Sequence, residues 1–129
     1  MMQHISAVVL VVPDYDVALR FYVGILAFDL IEDTHLSDTK RWVLIAPKNA
    51  QTRLLLAKAD GPEQVAAIGN QTGGRVGFFL HTDTFDEDFE RMTAAGVQFE
   101  ESPRKEPYGQ VAVFQDPFGN RWDLLQLSS

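Results

Sequence analysis

Proton chemistry in this chain would fall to His81 and Asp123. His81 follows the apolar run Val76–Leu80 and shares the strand parity of Gly77 and Phe79, so its side chain is expected on their face, near the rim. An imidazole titrates near neutrality, which suits proton transfer; the alternative is a strand end capped in solvent. Asp123 sits between Trp122 and Leu124 in the last strand-like segment. Enclosed by apolar neighbours, its carboxyl would have a raised pKa and serve as a general acid or base. Paired with Arg41 or Arg121, it would be an ordinary ion pair. Arg41, Arg121 and Tyr108 are the groups that could orient an oxygen, and Trp42, Phe79, Tyr108 and Trp122 are candidates for stacking. Strand alternation sends Trp122 and Asp123 to opposite faces, so only one of them can meet a ligand. Tyr108, between Pro107 and Gly109, is either a lid or a plug for a partner chain.

Other chemistries lack their residues. With no cysteine, there is no disulfide, thiolate metal site or cysteine nucleophile, which is compatible with a reducing cytoplasm. A net charge of -7 argues against a nucleic-acid surface, because phosphate binding needs clustered Lys and Arg. The Gly69–Gly74 segment lacks the Gly-Lys-Ser/Thr ending of a phosphate loop, and no serine lies in a nucleophile elbow. The acidic run Asp83–Glu90 lacks the spacing and glycine of a calcium loop; it reads as the start and outer face of a helix. No stretch approaches the roughly 18 apolar residues of a membrane span, and the start lacks the pattern of a signal peptide.

The elements that position these residues come in two copies. The apolar run Val8–Val12 ends in Pro13-Asp14 and is followed by a helical stretch; Val76–Leu80 ends in His81-Thr82-Asp83 and is followed by another. An offset of 70 sets Tyr15 on Phe85, Asp16 on Asp86, Leu19 on Phe89 and Tyr22 on Met92. Ile5–Val12 reads as a buried strand, and Asp14 as the cap of a helix whose inward face carries Ala18, Phe21, Tyr22 and Ile25. Ala27 stands where the second copy has Gly96, and would be strained by roughly 1 kcal/mol if it took the same left-handed backbone. Strands are expected at 28–32, 41–46 and 52–57, with a polar loop at His35–Lys40 and a short helix from Pro62 to Ile68. In the second copy strands are expected at 75–82, 97–100, 110–115 and 121–127, with a polar loop at Ser102–Gly109 and a tight turn at Asp116–Asn120. Each half is thus β-α-β-β-β, residues 1–70 and 71–129, in an α+β fold.

On Val12-Pro13-Asp14, Ala18–Tyr22 and Leu26-Ala27-Phe28, then Ala94–Val97 and the closing run Asp116–Leu124, the chain resembles the vicinal-oxygen-chelate superfamily. That superfamily includes glyoxalase I, extradiol dioxygenases and bleomycin-resistance proteins. The resemblance implies paired modules whose mixed sheets curl around a cleft, often completed by a homodimer. It leaves open whether the halves pair within one chain or across two. Metal-dependent members take four ligands, usually His, Gln or Glu, from equivalent strand positions. Here those positions carry Ala7, one of Leu54–Leu56, Gly77 and Asp123. One donor does not hold a divalent ion. His4 has the wrong parity to replace Ala7, and a His81–Asp123 pair would need a third donor from Glu32 or His35.

No metal and no cofactor are therefore expected. Ala7, Gly77 and the leucines should leave the cleft floor apolar and roomier. The expected function is capture of a small, partly aromatic or apolar molecule, as in the drug-sequestering relatives, with Arg41, Trp42, Phe79, Tyr108 and Arg121 as contacts. The alternative is a lyase or isomerase, glyoxalase-like or dioxygenase-like, metal-dependent or using Asp123 and His81 as acid and base. Arg104-Lys105 reads as solvated, or as a means of steering an anionic ligand.

Overall fold

In the computed structural model, which describes residues 1–129, the first β-branched run forms strand β1, Ala7–Val12. It is half covered rather than buried: Leu10 and Val12 are enclosed, while Val8 and Val9 are each 45% exposed. A β-branched run reports strand conformation, but burial depends on what packs against each face. Asp14 caps helix α1, Tyr15–Leu19, by accepting the Val17 N–H at 3.0 Å. From Arg20 to Ile25 the helix widens into a π-helical segment. This register brings Phe21, Tyr22 and Leu26 all inward, whereas Ile25 is only partly covered. Ala27 then turns the chain at φ +65°, the left-handed angle that Gly96 takes at +90° in the second half.

Residues 1–68 and 69–129 form two units. In the first, β2 (Asp29–His35), β3 (Arg41–Ala46) and β4 (Arg53–Lys58) complete a four-stranded sheet in the order β1-β4-β3-β2, with β1 parallel to β4. His35 belongs to β2, so the polar loop begins one residue later than expected. Leu10, Val12, Val43, Ile45 and Leu56 share one face and, together with Ala18, Phe21 and Tyr22, form the buried core. Helix α2, Pro62–Ala67, closes this unit.

The second unit repeats the order. Strand β5 (Val76–His81) is followed by helix α3 (Phe85–Ala94), then β6 (Gln98–Phe99), β7 (Arg104–Glu106), β8 (Gly109–Gln115) and β9 (Arg121–Leu127). The main path is β5-β9-β8-β6, with β7 pairing on β8. The expected loop over Ser102–Gly109 thus contains a strand and a hairpin turn at Pro107-Tyr108. Gly109 is obligatory there, since a Cβ would lie 2.1 Å from the Gln126 carbonyl oxygen. One face is held by a run of rings: Phe85 on Phe89, Phe89 on Phe99, Phe99 on Phe114, Phe114 on Trp122, and Trp122 on Phe78 at 4.6 Å. The closing turn is tied by Asp116, whose carboxylate accepts the N–H groups of Phe118 and Asn120, each at 2.9 Å, and the Asn120 amide. The fold is α+β, as expected. No helix is long and apolar enough to cross a membrane.

Candidate functional site

Because the aromatic run occupies one face of the second sheet, alternation sends Asp123 to the other. In register, Asp123 lies between Phe79 on β5 and Val113 on β8. Phe79 is 62% exposed, an uncovered ring next to a carboxylate. The Oδ1 atom of Asp123 is buried and has no hydrogen-bond partner. Burial pushes this carboxyl above its ordinary pKa; Arg104 and Arg121 draw it down and Glu101 raises it further, but burial outweighs the attraction. Neither Arg41 nor Arg121 pairs with it. Arg121 is held by Glu100, with Nε and Nη2 donating at 2.8 and 2.7 Å, while Nη1 donates to the Gly74 carbonyl at 3.0 Å. That side chain braces the sheet.

The other candidates on this unit stand apart from Asp123. His81 is exposed and opposite Leu125, two residues beyond the Phe79–Asp123 pair, about 7 Å along the strand. It forms no hydrogen bond with Asp123, so the two do not make a coupled acid–base pair. Tyr108 is 49% exposed at the hairpin tip; its neighbour Gly109 is four residues, about 13 Å, along β8 from Val113. Trp122, on the opposite face from Asp123, is buried in the core and so is not available for stacking on a ligand.

On the first unit, Arg41 and Trp42 line a cavity of about 610 Å³ together with Tyr15, Leu55, Ala57 and Lys58. The Arg41 guanidinium is already occupied: Nε and Nη2 donate to Asp33 at 3.1 and 2.6 Å, and Nη1 donates to Asp16 at 2.9 Å. It also lies over the Tyr15 ring, 5.1 Å from the centroid. The Asp33 hydrogen bonds hold Arg41 ionised at any working pH, and Arg41 in turn holds the Asp33 carboxyl below the usual range. Arg41 shapes this wall and has little capacity left to grip a ligand. Trp42, by contrast, is 40% exposed.

The residues present do not fit the metal that the resemblance implies. Among Ala7, Leu54–Leu56, Gly77 and Asp123, only Asp123 carries a donor, and no group of three His, Asp or Glu side chains is placed so that it could hold a metal ion. Position 77 is also not the free space expected of a glycine. It lies at a bulge in β5, and a Cβ there would meet the Thr72 methyl at 2.5 Å. Thr72 is fixed by donating to the Arg75 carbonyl at 2.7 Å. The linker thus fills the space that a ligating side chain would need.

Two positions escaped the sequence reading. Thr72 gives no signal beyond its place in a glycine-rich linker. Tyr15 could have been found, because the repeat sets it on Phe85 and only Tyr15 carries a hydroxyl. That hydroxyl accepts the Arg41 backbone N–H at 3.2 Å.

Comparison with known proteins extends these observations. A family model described as the Glyoxalase/Bleomycin resistance protein/Dioxygenase superfamily matches residues 3–124. An uncharacterized protein of Shewanella frigidimarina is 52% identical over 99% of this chain and 96% of its own. The crystal structure of TnmS3, an antibiotic binding protein from Streptomyces sp. CB03234, is 34% identical, covers 98% of both chains and superposes with a TM-score of 0.80. A superfamily member from Sphaerobacter thermophilus is 29% identical, covers 97% of this chain and 98% of its own, and has a TM-score of 0.77.

Proposed function

We propose that this chain, which belongs to the glyoxalase/bleomycin resistance protein/dioxygenase superfamily, is a binding protein that holds a small, partly aromatic molecule without a metal ion. The observation that carries the proposal is the Asp123–Phe79 pair on the second unit's sheet. There Asp123 presents a carboxylate with a buried, unpartnered oxygen, and Phe79 presents an uncovered ring directly across the ladder. A ligand ring on Phe79 and a hydroxyl or amine donating to Asp123 would satisfy both at once. Binding pockets are built this way, apolar with a few placed polar groups. The likeness to an antibiotic binding protein over the full chain supports the same reading.

A second reading rests on the raised pKa of Asp123, which suits a general acid. It would have to act without His81, which stands two residue pairs away. We further propose that the chain works in the cytoplasm as a homodimer. Each unit leaves large apolar side chains uncovered on its strands, Val8 and Val9 at 45% each in the first and Phe79 and Leu127 at 62 and 55% in the second, surface that a second copy could cover. Sedimentation velocity would test the dimer.

The test of binding is a calorimetric titration with a panel of aromatic antibiotics, run alongside elemental analysis after incubation with zinc, nickel, manganese and iron(II). The proposal expects one or more ligands to bind, Phe79→Ala and Asp123→Ala to weaken them, and metal content to stay near zero. One ion per chain would refute it. Turnover lost in Asp123→Asn with binding retained would select the acid reading instead.

A further inference from the structure

The cavity on the first unit arises from a break in the sheet. Strand β4 pairs with β1 as far as Val12–Lys58, and β3 pairs with β2 as far as His35–Arg41. Between β3 and β4, however, the ladder ends at Val43–Leu56. The next hydrogen-bonded pair would be Arg41 with Lys58. Instead the Arg41 N–H turns to the Tyr15 hydroxyl, and the two strands part around about 610 Å³ of space. This volume is in the range that holds small organic ligands.

The wall is set in place before any ligand arrives. Tyr15 is 7% exposed and clamped beneath Arg41, which two carboxylates hold. Its free groups are mostly donors: the ammonium groups of Lys40 and Lys58, neither in an ion pair, and the indole N–H of the exposed Trp42. The acceptors nearby are largely engaged. Gln64 Oε1 takes the Asp60 N–H at 2.8 Å, and Asp16 and Asp33 take Arg41, leaving the Asp60 carboxylate as the one acid in the lining.

From these features we infer that the gap between β3 and β4 is a second ligand site, taking a planar aromatic carboxylate. Its ring stacks on Trp42 and its carboxylate meets Lys40 and Lys58. Its lining comes from the first unit alone and shares no residue with the Asp123–Phe79 face. Trp42 and the lysines lie at the opening, so changing them does not disturb the core.

Calorimetric titration with indole-3-acetate, and with the uncharged indole-3-acetamide, tests the inference. The acetate should bind more tightly than the amide. Trp42→Ala should weaken the acetate about tenfold, and Lys40→Gln with Lys58→Gln about fivefold, whereas Asp123→Asn should leave it unchanged. Salt should weaken the acetate and not the amide. Equal binding of the two probes, or no binding up to about 10 mM, would overturn the inference. So would a loss confined to Asp123→Asn, which would assign the probe to the other face.

Discussion

Replacing Asp123 with Asn should stabilise the protein at neutral pH and leave it nearly unchanged in acid. The carboxyl is raised by burial, with one oxygen enclosed and unpartnered. Its folded pKa therefore lies above the unfolded value of about 3.9. Between those two values the native state holds the proton more tightly, so stability falls as pH rises through that window. Below about pH 4 both states are protonated and the penalty vanishes. An unsatisfied buried polar group costs about 1–3 kcal/mol, and more when charged. Asp123 is only partly enclosed, so solvent screening reduces this to about 1 kcal/mol. Asn keeps the shape without the charge. The gain expected at pH 7 is thus about 1 kcal/mol, or about 3–4 °C in melting temperature. Urea denaturation of both proteins from pH 4 to pH 8 measures the difference directly, and all groups common to the two cancel. A gap that does not widen with pH would refute the reasoning, and Asp123 would then have a partner in solution.

Three other outcomes follow from single residues. Ala27→Gly should stabilise by about 0.5–1 kcal/mol in urea unfolding, since relief of the +65° backbone exceeds the added chain entropy of glycine. Gly109→Ala should destabilise by about 3 kcal/mol or more, read as loss of soluble protein or of the urea midpoint, because the methyl would sit 2.1 Å from a backbone oxygen. Arg41→Lys should lose about 1 kcal/mol at pH 7, because an ammonium cannot bridge Asp16 and Asp33 with the same fork. Asp33 is held below its ordinary pKa, so its contribution is present above about pH 4 and fades as pH falls through the folded value. The Arg41→Lys deficit should shrink over that range in matched acid titrations.

What was legible in the chain was what local physics dictates. The last strand, Arg121–Leu127, was bounded correctly by the Asp-Pro-Phe-Gly-Asn turn; alternation set Trp122 and Asp123 on opposite faces, and the family resemblance, which puts Asp123 at the cleft, left Trp122 to the core where it lies. The left-handed angle at Ala27 followed from the repeat, which set it on a glycine. The π-helical segment was not legible, because α and π registers differ by one residue and Phe21-Tyr22 satisfies both. Strand β7 was missed because Arg104-Lys105-Glu106 has no apolar alternation; it is an edge strand whose charges deter further pairing.

The arginines mark the deeper limit. Arg41 and Arg121 were chosen as contacts because a guanidinium in a strand looks available for a ligand. Their partners stand 8, 25 and 21 residues away, brought near only by the fold. Asp123, put at the cleft by the family resemblance, keeps a buried oxygen, Oδ1, without the partner that would have made it ordinary. Residue type thus names who can do chemistry, and tertiary pairing decides who is already engaged. Among the charged strand residues chosen from sequence, the two arginines are engaged and the carboxylate of Asp123 is not, so the site proposed around Asp123 would select a ligand that brings its own hydrogen-bond donor.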